Sequence, residues 1–220
     1  MKRLLRAALI GDVLRRPIEL PNNAHYFLAN ADRILTRNFD PTDADVAACY
    51  AQTVGFNYLS IRLGSVKYEL IELPGHHIFR QWWDEFFEET TVVIFVIDLS
   101  DICRSAFYNK GHLDGKVLAI LGDIVKSKML QKTSFILLFN KRDVLEEAAT
   151  AFSFSVYGQG VRTWEQAEQK YKDECTSVVK QTHTVYSHSL SLLRRPDLNS
   201  TLFDSLSAIF RAYKDSFENE

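Results

Sequence analysis

The chain has 220 residues, 46% hydrophobic and 25% charged, enough for one domain or a domain with a small appendage. A net charge of −2 and a pI near 6.3 argue against a nucleic-acid binder, which carries a basic surplus. Cys49, Cys103 and Cys175 are widely spaced with no CxxC pair, so neither a disulfide framework nor a zinc ribbon is implied.

At the start, MKRLLRAALIGD carries a basic flank, but Arg6 interrupts its short apolar patch, so no signal peptide is expected. Lys2 stands where N-myristoylation needs glycine. A cytoplasmic location is the default expectation. Residues 23–37, NAHYFLANADRILTR, place Phe27, Ala31, Ile34 and Leu35 on one face and predict an amphipathic helix. PTDAD predicts a second helix start, with Thr42 as cap and the following acids suited to the dipole.

From residue 58 the texture changes. YLSIRL and VKYELIEL flank Gly64-Ser65, a two-residue hairpin turn led by glycine. VVIFVIDL (92–99) and SFILLFN (134–140) are nearly continuous apolar runs, as strands buried on both faces require. The run at 92–97 is far too short to cross a bilayer. Periodicity predicts helices over 77–88, 114–128 and 162–180, and HTVYSHS (183–189) reads as a weaker strand. A final helix is expected from about Ser200, capped by Asn199, with Leu202, Phe203, Leu206, Ile209, Phe210, Tyr213 and Phe217 as its stripe. The alternation predicts a doubly wound α/β domain, whose ligands bind beyond the carboxyl ends of its strands.

Two stretches sit at such ends. FILLFNKRD delivers Asn140, Lys141 and Asp143 onto a loop after a buried strand, an arrangement suited to reading guanine. A carboxylate accepts from the ring N–H and the exocyclic amine, donors that adenine does not present in that pattern. The lysine stem can lie along the base, and the asparagine can brace neighbouring loops. The alternative for these four residues is a polar strand-end turn. The other stretch is LPGHH. His76 and His77 are not read as a metal site, because adjacent side chains are expected to diverge and no nearby ligand set completes the shell. Trp82 and Trp83 cannot both face inward from one helix. Asp98 and Asp101 read as loop-capping acids, and His183 and His188 as structural.

Taken in order, these stretches resemble the α subunit of heterotrimeric G proteins over almost the whole chain. NNAHYFLANADRI resembles the last long helix of that family's helical domain, and DADVAACYAQTVG its linker and first switch. YELIELPGHHIFRQWWDEFFEETTVVIFVIDLSD resembles the third strand, second switch and fourth strand. SFILLFNKRDVLEEA resembles the guanine-specificity segment, and the end the receptor-facing helix. The resemblance implies a Ras-like P-loop GTPase domain at 51–220 preceded by a helical-domain remnant and linker at 1–50. It implies GTP or GDP with Mg²⁺ as cofactors. It also implies βγ, receptor or effector partners and, through them, the inner face of the plasma membrane.

Departures from the family pattern are equally specific. No GxxxxGK[ST] phosphate loop occurs; GHLDGKV (111–117) has one residue too few between its glycines and ends in Val117. The chain is therefore expected to lack the family's first strand, which lies between the third and fourth, and to leave two apolar strand edges facing that position. Tyr50 stands where the family carries its arginine finger, and Ala48 replaces another arginine. Thr53 matches the threonine whose hydroxyl meets Mg²⁺. Family DVGGQ becomes Glu72-Leu73-Pro74-Gly75-His76, so Gly75 keeps the γ-phosphate contact and His76 replaces the catalytic glutamine. Pro74 has no N–H to offer. SLSLLR lies where small residues hold the base, with Ser191 as the remnant. Arg80, Trp82 and Trp83 fall on the surface that binds βγ and effectors. The expectation is a G-protein α-subunit-like signalling protein with guanine-base residues, weakened phosphate binding and poor hydrolysis. The rivals are a non-catalytic interaction module (a pseudo-GTPase) and a non-functional fragment.

Overall fold

The computed structural model describes residues 23–49, 53–63, 66–107, 115–148, 153–158, 160–192 and 204–210. Its strands form two sheets. β1 (Asn57–Leu63) and β2 (Val66–Glu72) make an antiparallel pair, while β3 (Val92–Asp98), β4 (Ser134–Asn140) and β5 (Val185–Ser189) form a parallel sheet with β4 in the middle. The register Leu63↔Val66 leaves a two-residue connection, as Gly64-Ser65 requires; those two residues lie outside the described ones.

β3 and β4 carry nearly continuous apolar runs with packing on both faces, most completely over β4. On one face Val93, Phe95, Ile97, Phe135, Leu137 and Phe139 pack with the helices α4 (Ser100–Phe107), α5 (Gly115–Ile124) and α7 (Trp164–Lys180). On the other, Val92, Ile94, Ile136, Leu138 and Leu190 meet Leu206 and Ile209 of a helix at 204–210. Five consecutive residues of β4 are buried, and this strand is the spine of the core. β2 instead alternates exposed Lys67, Glu69 and Ile71 with half-buried Tyr68 and Leu70, a one-sided pattern that pairs with β1.

The single doubly wound sheet expected from the sequence is thus divided between β2 and β3 among the described residues. The break falls where the resemblance placed an intervening strand. Val96 on β3 is 53% exposed and Ile71 on β2 42%, apolar side chains without full cover. The two sheets are nevertheless linked on both sides. Tyr68 packs edge-on against Phe210 of the 204–210 helix, and Phe56 and Tyr58 touch Phe86 in the segment joining β2 to β3.

Several element boundaries differ from the sequence reading. The helix expected over 23–37 is two short ones, α1 (Ala24–Ala29) and α2 (Ala31–Ile34), divided at Asn30. Its side-chain amide donates to the Tyr26 carbonyl, competing for the backbone. α3 (Asp43–Ala48) begins as expected: Thr42 and Asp45 form a reciprocal capping box. The segment at 77–88 is a 3₁₀ helix, His77–Phe86. The stretch expected over 114–128 is shorter, ending at Ile124, with a 3₁₀ turn at Lys128–Leu130. α7 carries a second capping box, Thr163 with Gln166. Of the final stripe, Leu206, Ile209 and Phe210 are seen; Asn199, Ser200, Leu202, Phe203, Tyr213 and Phe217 lie outside the described residues, as do 1–22 and the 111–114 part of GHLDGKV.

Candidate functional site

The carboxyl end of the parallel sheet gathers the residues with chemistry. Asp98 and Asn140 are register partners at the ends of β3 and β4, and the Leu99 N–H donates to the Asn140 carbonyl at 2.9 Å. Asn140 then turns its side chain toward the segment after β5, where its Oδ1 accepts from the Leu192 N–H at 2.9 Å. The Arg142 N–H reaches the Leu190 carbonyl at 3.3 Å. Asparagine here braces the neighbouring loop, the part the residue reading allowed for it. Ser191 is buried and Leu192 exposed within that loop.

Lys141 has a φ of 64°, the left-handed region that residues with a Cβ seldom adopt. Its Nζ lies 2.6 Å from Asp98 Oδ2. The other Asp98 oxygen accepts from the Ser100 N–H at 2.9 Å and from its hydroxyl at 2.7 Å, at the start of α4. Asp98 caps, as expected, but it also pairs with the lysine. The sequence carried no signal for this pairing, which depends on β3 and β4 lying in register.

The sequence alone puts Asp143 on a loop. It lies instead in the first turn of a helix, α6 (Arg142–Ala148), where its charge suits the helix dipole. Its carboxylate is half-buried and has no hydrogen-bond or ion-pair partner among the described residues. The neighbouring Arg142 is committed elsewhere, 3.4 Å from buried Glu168 and with its guanidinium 5.1 Å from the Trp164 ring centroid. A carboxylate held at a strand end with its acceptors open, beside a braced asparagine, suits a ligand presenting a pair of N–H donors.

The second strand end is arranged differently. The Thr53 hydroxyl donates to Glu72 Oε1 at 2.8 Å, and Asn57 donates to Glu72 Oε2 at 2.9 Å. These bonds, Asn57's first, hold the Glu72 carboxyl below its usual range. After Leu73 the chain turns through Pro74 and Gly75. The Pro74 carbonyl accepts from Trp83 Nε1 at 3.2 Å, and the Gly75 carbonyl from Arg80 Nε and NH2, both at 3.2 Å. Space around Gly75 is open to a Cβ, so nothing in the described surroundings demands a glycine there. His76 caps the 3₁₀ helix, its Nδ1 accepting from the Ile78 N–H at 3.5 Å.

His76 and His77 do not diverge: their ring centroids are 4.4 Å apart. No third ligand joins them, and among the described residues no group of three His, Cys, Asp or Glu side chains can hold a metal. The tryptophans divide as the helix argument required. Trp83 packs against the core while Trp82 is 46% exposed, beside exposed Ile78. Arg80 lies over the Trp83 ring at 6.0 Å. Tyr50 and Gln52 lie outside the described residues.

The sequence profile of the G-protein alpha subunit matches residues 1–209. The guanine nucleotide-binding protein alpha-9 subunit of Dictyostelium discoideum is 26% identical over 79% of the chain and 52% of its own length. The alpha-2 subunit of the same organism is 26% identical over 94% of the chain and 57% of its own. The G(o) subunit alpha of Geodia cydonium is 30% identical over 67% of the chain and 42% of its own. The chain thus spans about half the length of the relatives it matches, and no helix among its described residues is long and apolar enough to cross a membrane. With a family match running through nearly all of it, the chain belongs to the G-protein alpha subunit family.

Proposed function

We propose that this chain acts in G-protein signalling as an α-subunit-like protein that recognises the guanine base and handles the phosphates poorly. The observation that carries the reading is Asp143, a carboxylate without a partner among the described residues, at the carboxyl end of a parallel sheet beside the braced Asn140. Its two acceptor oxygens suit the two donors on guanine's edge.

Phosphate chemistry has less to draw on. Gly75 offers an N–H next to a proline that offers none, and its carbonyl is tied to Arg80. The His76 ring nitrogen that caps the 3₁₀ helix is not free to orient a water; Nε2 is the remaining one. With Tyr50 in place of an arginine worth about 10³-fold or more in such sites, hydrolysis is slow. The Thr53 hydroxyl gives its proton to Glu72 and keeps its oxygen lone pairs for a cation.

The test is a melting-temperature series with GDP and Mg²⁺, with adenine nucleotide as control. GDP raises the midpoint and ADP does not, because only the guanine-bound folded state is stabilised. Asp143→Asn weakens the GDP shift and narrows its margin over ADP. A folded protein unmoved by millimolar GDP would rule the reading out, and a shift unaffected by Asp143→Asn would misplace the base site. A second reading, an interaction module using the 3₁₀ helix, is favoured by the exposed Ile78 and Trp82. Capture of βγ dimer by wild type and not by Trp82→Ala supports it; equal capture by both opposes it.

A further inference from the structure

We infer that Asp98 is a positioning residue for base recognition, acting through Lys141. This rests on the guanine-site reading above and adds a residue to it. Three observations meet at this point. Lys141 leaves β4 in a left-handed conformation (φ 64°), immediately before α6 begins at Arg142. Its Nζ then reaches the end of the adjacent strand, 2.6 Å from Asp98 Oδ2. The carboxylate is itself immobilised, because its other oxygen accepts from both the backbone N–H and the hydroxyl of Ser100.

The result is a hydrocarbon stem anchored at both ends, at Cα on β4 and at Nζ on β3, lying across two strand termini. A planar base whose edge is held by Asp143, two residues further on, needs a flat apolar neighbour, and the four-carbon stem of an extended lysine supplies one. A free lysine would lose rotamer freedom on every binding event. An anchored one has lost it before the ligand arrives. Asp98 thereby contributes to affinity without touching the base. Discrimination stays with Asp143, since Asp98 and Lys141 face no edge donor.

The experiment measures binding of a fluorescent GDP analogue to the full chain by anisotropy, for wild type, Asp98→Asn, Lys141→Met and the double variant. Asp98→Asn keeps an oxygen for Ser100 and removes the charge. It weakens binding about three- to tenfold, the equivalent of re-immobilising one long side chain. The double variant binds no more weakly than Lys141→Met, because both changes remove one device. Ser100→Ala serves as the structural control: it lowers the melting temperature and changes affinity less than Asp98→Asn. If Asp98→Asn does not fold, Asp98→Glu, which displaces the same charge by one methylene, takes its place in the cycle. Unchanged affinity in the Asp98 variant, or losses that multiply in the double variant, overturns this inference and leaves the base site standing. A wild type that binds no guanine nucleotide overturns both.

Discussion

Lys141 is where local backbone cost and site geometry meet. A left-handed residue with a Cβ costs about 1–2 kcal/mol, and branching at Cβ raises the cost. Lys141→Val therefore destabilises by about 1–2 kcal/mol in urea unfolding, whereas Lys141→Gly is close to neutral. Glycine relieves the strain but gives up a partly exposed ion pair worth under about 1 kcal/mol and adds freedom to the unfolded chain. Asp45 makes a second residue-scale case. Its buried carboxylate accepts from both terminal nitrogens of Arg33, from the Tyr26 hydroxyl and from the Thr42 N–H and hydroxyl. Arg33 first, and then Thr42 and Tyr26, hold the carboxyl well below the usual range, against the opposing effect of burial. A lowered folded-state value means the contribution is complete above the ordinary pKa, about 3.9, and is lost as pH falls below it. Acid titration followed by the Thr42 and Asp45 amide signals shows them steady through about pH 4 and changing only well below it; a change centred near about pH 4 would contradict this. Thr42 as cap was legible from the sequence because the capping box is local. The pairing of Asp45 with Arg33 and Tyr26 was not, since it depends on how α1, α2 and α3 come together.

Among the elements, the helix at 204–210 is held to β5 by a polar contact as well as by Leu206 and Ile209. His188 Nε2 lies 2.6 Å from the Ser205 hydroxyl. Burial, and then the nearby charge of Lys172, lower the His188 pKa, so the docked helix favours the neutral ring. The sign follows: this contribution is present above the ordinary value of about 6.5 and is lost as pH falls through the lower folded value. Amide exchange across 204–210 accelerates as pH is lowered through that range more than acid slowing of intrinsic exchange allows, and His188→Gln removes the excess. β3 and β4 were readable to within a residue because continuous apolar runs have one explanation in a parallel sheet. α4 and α6 were missed because each opens on polar residues, Ser100-Asp101 and Arg142-Asp143, which read as loop in isolation. Their apolar positions, Ile102 with Cys103 and Ala106, and Val144 with Leu145, are too few for periodicity to register.

For the whole molecule, the core is asymmetric: the larger cluster lies under α4, α5 and α7, and the smaller under 204–210. The cysteines report on this. Cys103 and Cys175 are buried in the larger cluster, and burial pushes the Cys175 thiol up to about 12, while Cys49 is exposed. A thiol reagent at pH 8 labels Cys49 quickly and the other two only on unfolding. Rapid labelling of Cys175 would mean that α7 is not packed as described. The separation of β2 from β3 was foreseeable only through the family resemblance, because strand neighbours are chosen by long-range pairing that no window of sequence contains. The segment spanning that separation has a consequence of its own. His77–Phe86 is wound at three residues per turn, and its ten residues extend about 20 Å where an α-helix of equal length extends about 15 Å. A change of winding alone, with no residue added or removed, would draw its ends together by about 5 Å. Each residue would turn by about 20° less, so over the five steps from His77 Trp82 would swing through about 100°. The connection between the sheets is thus a screw whose winding decides the direction in which Trp82 faces.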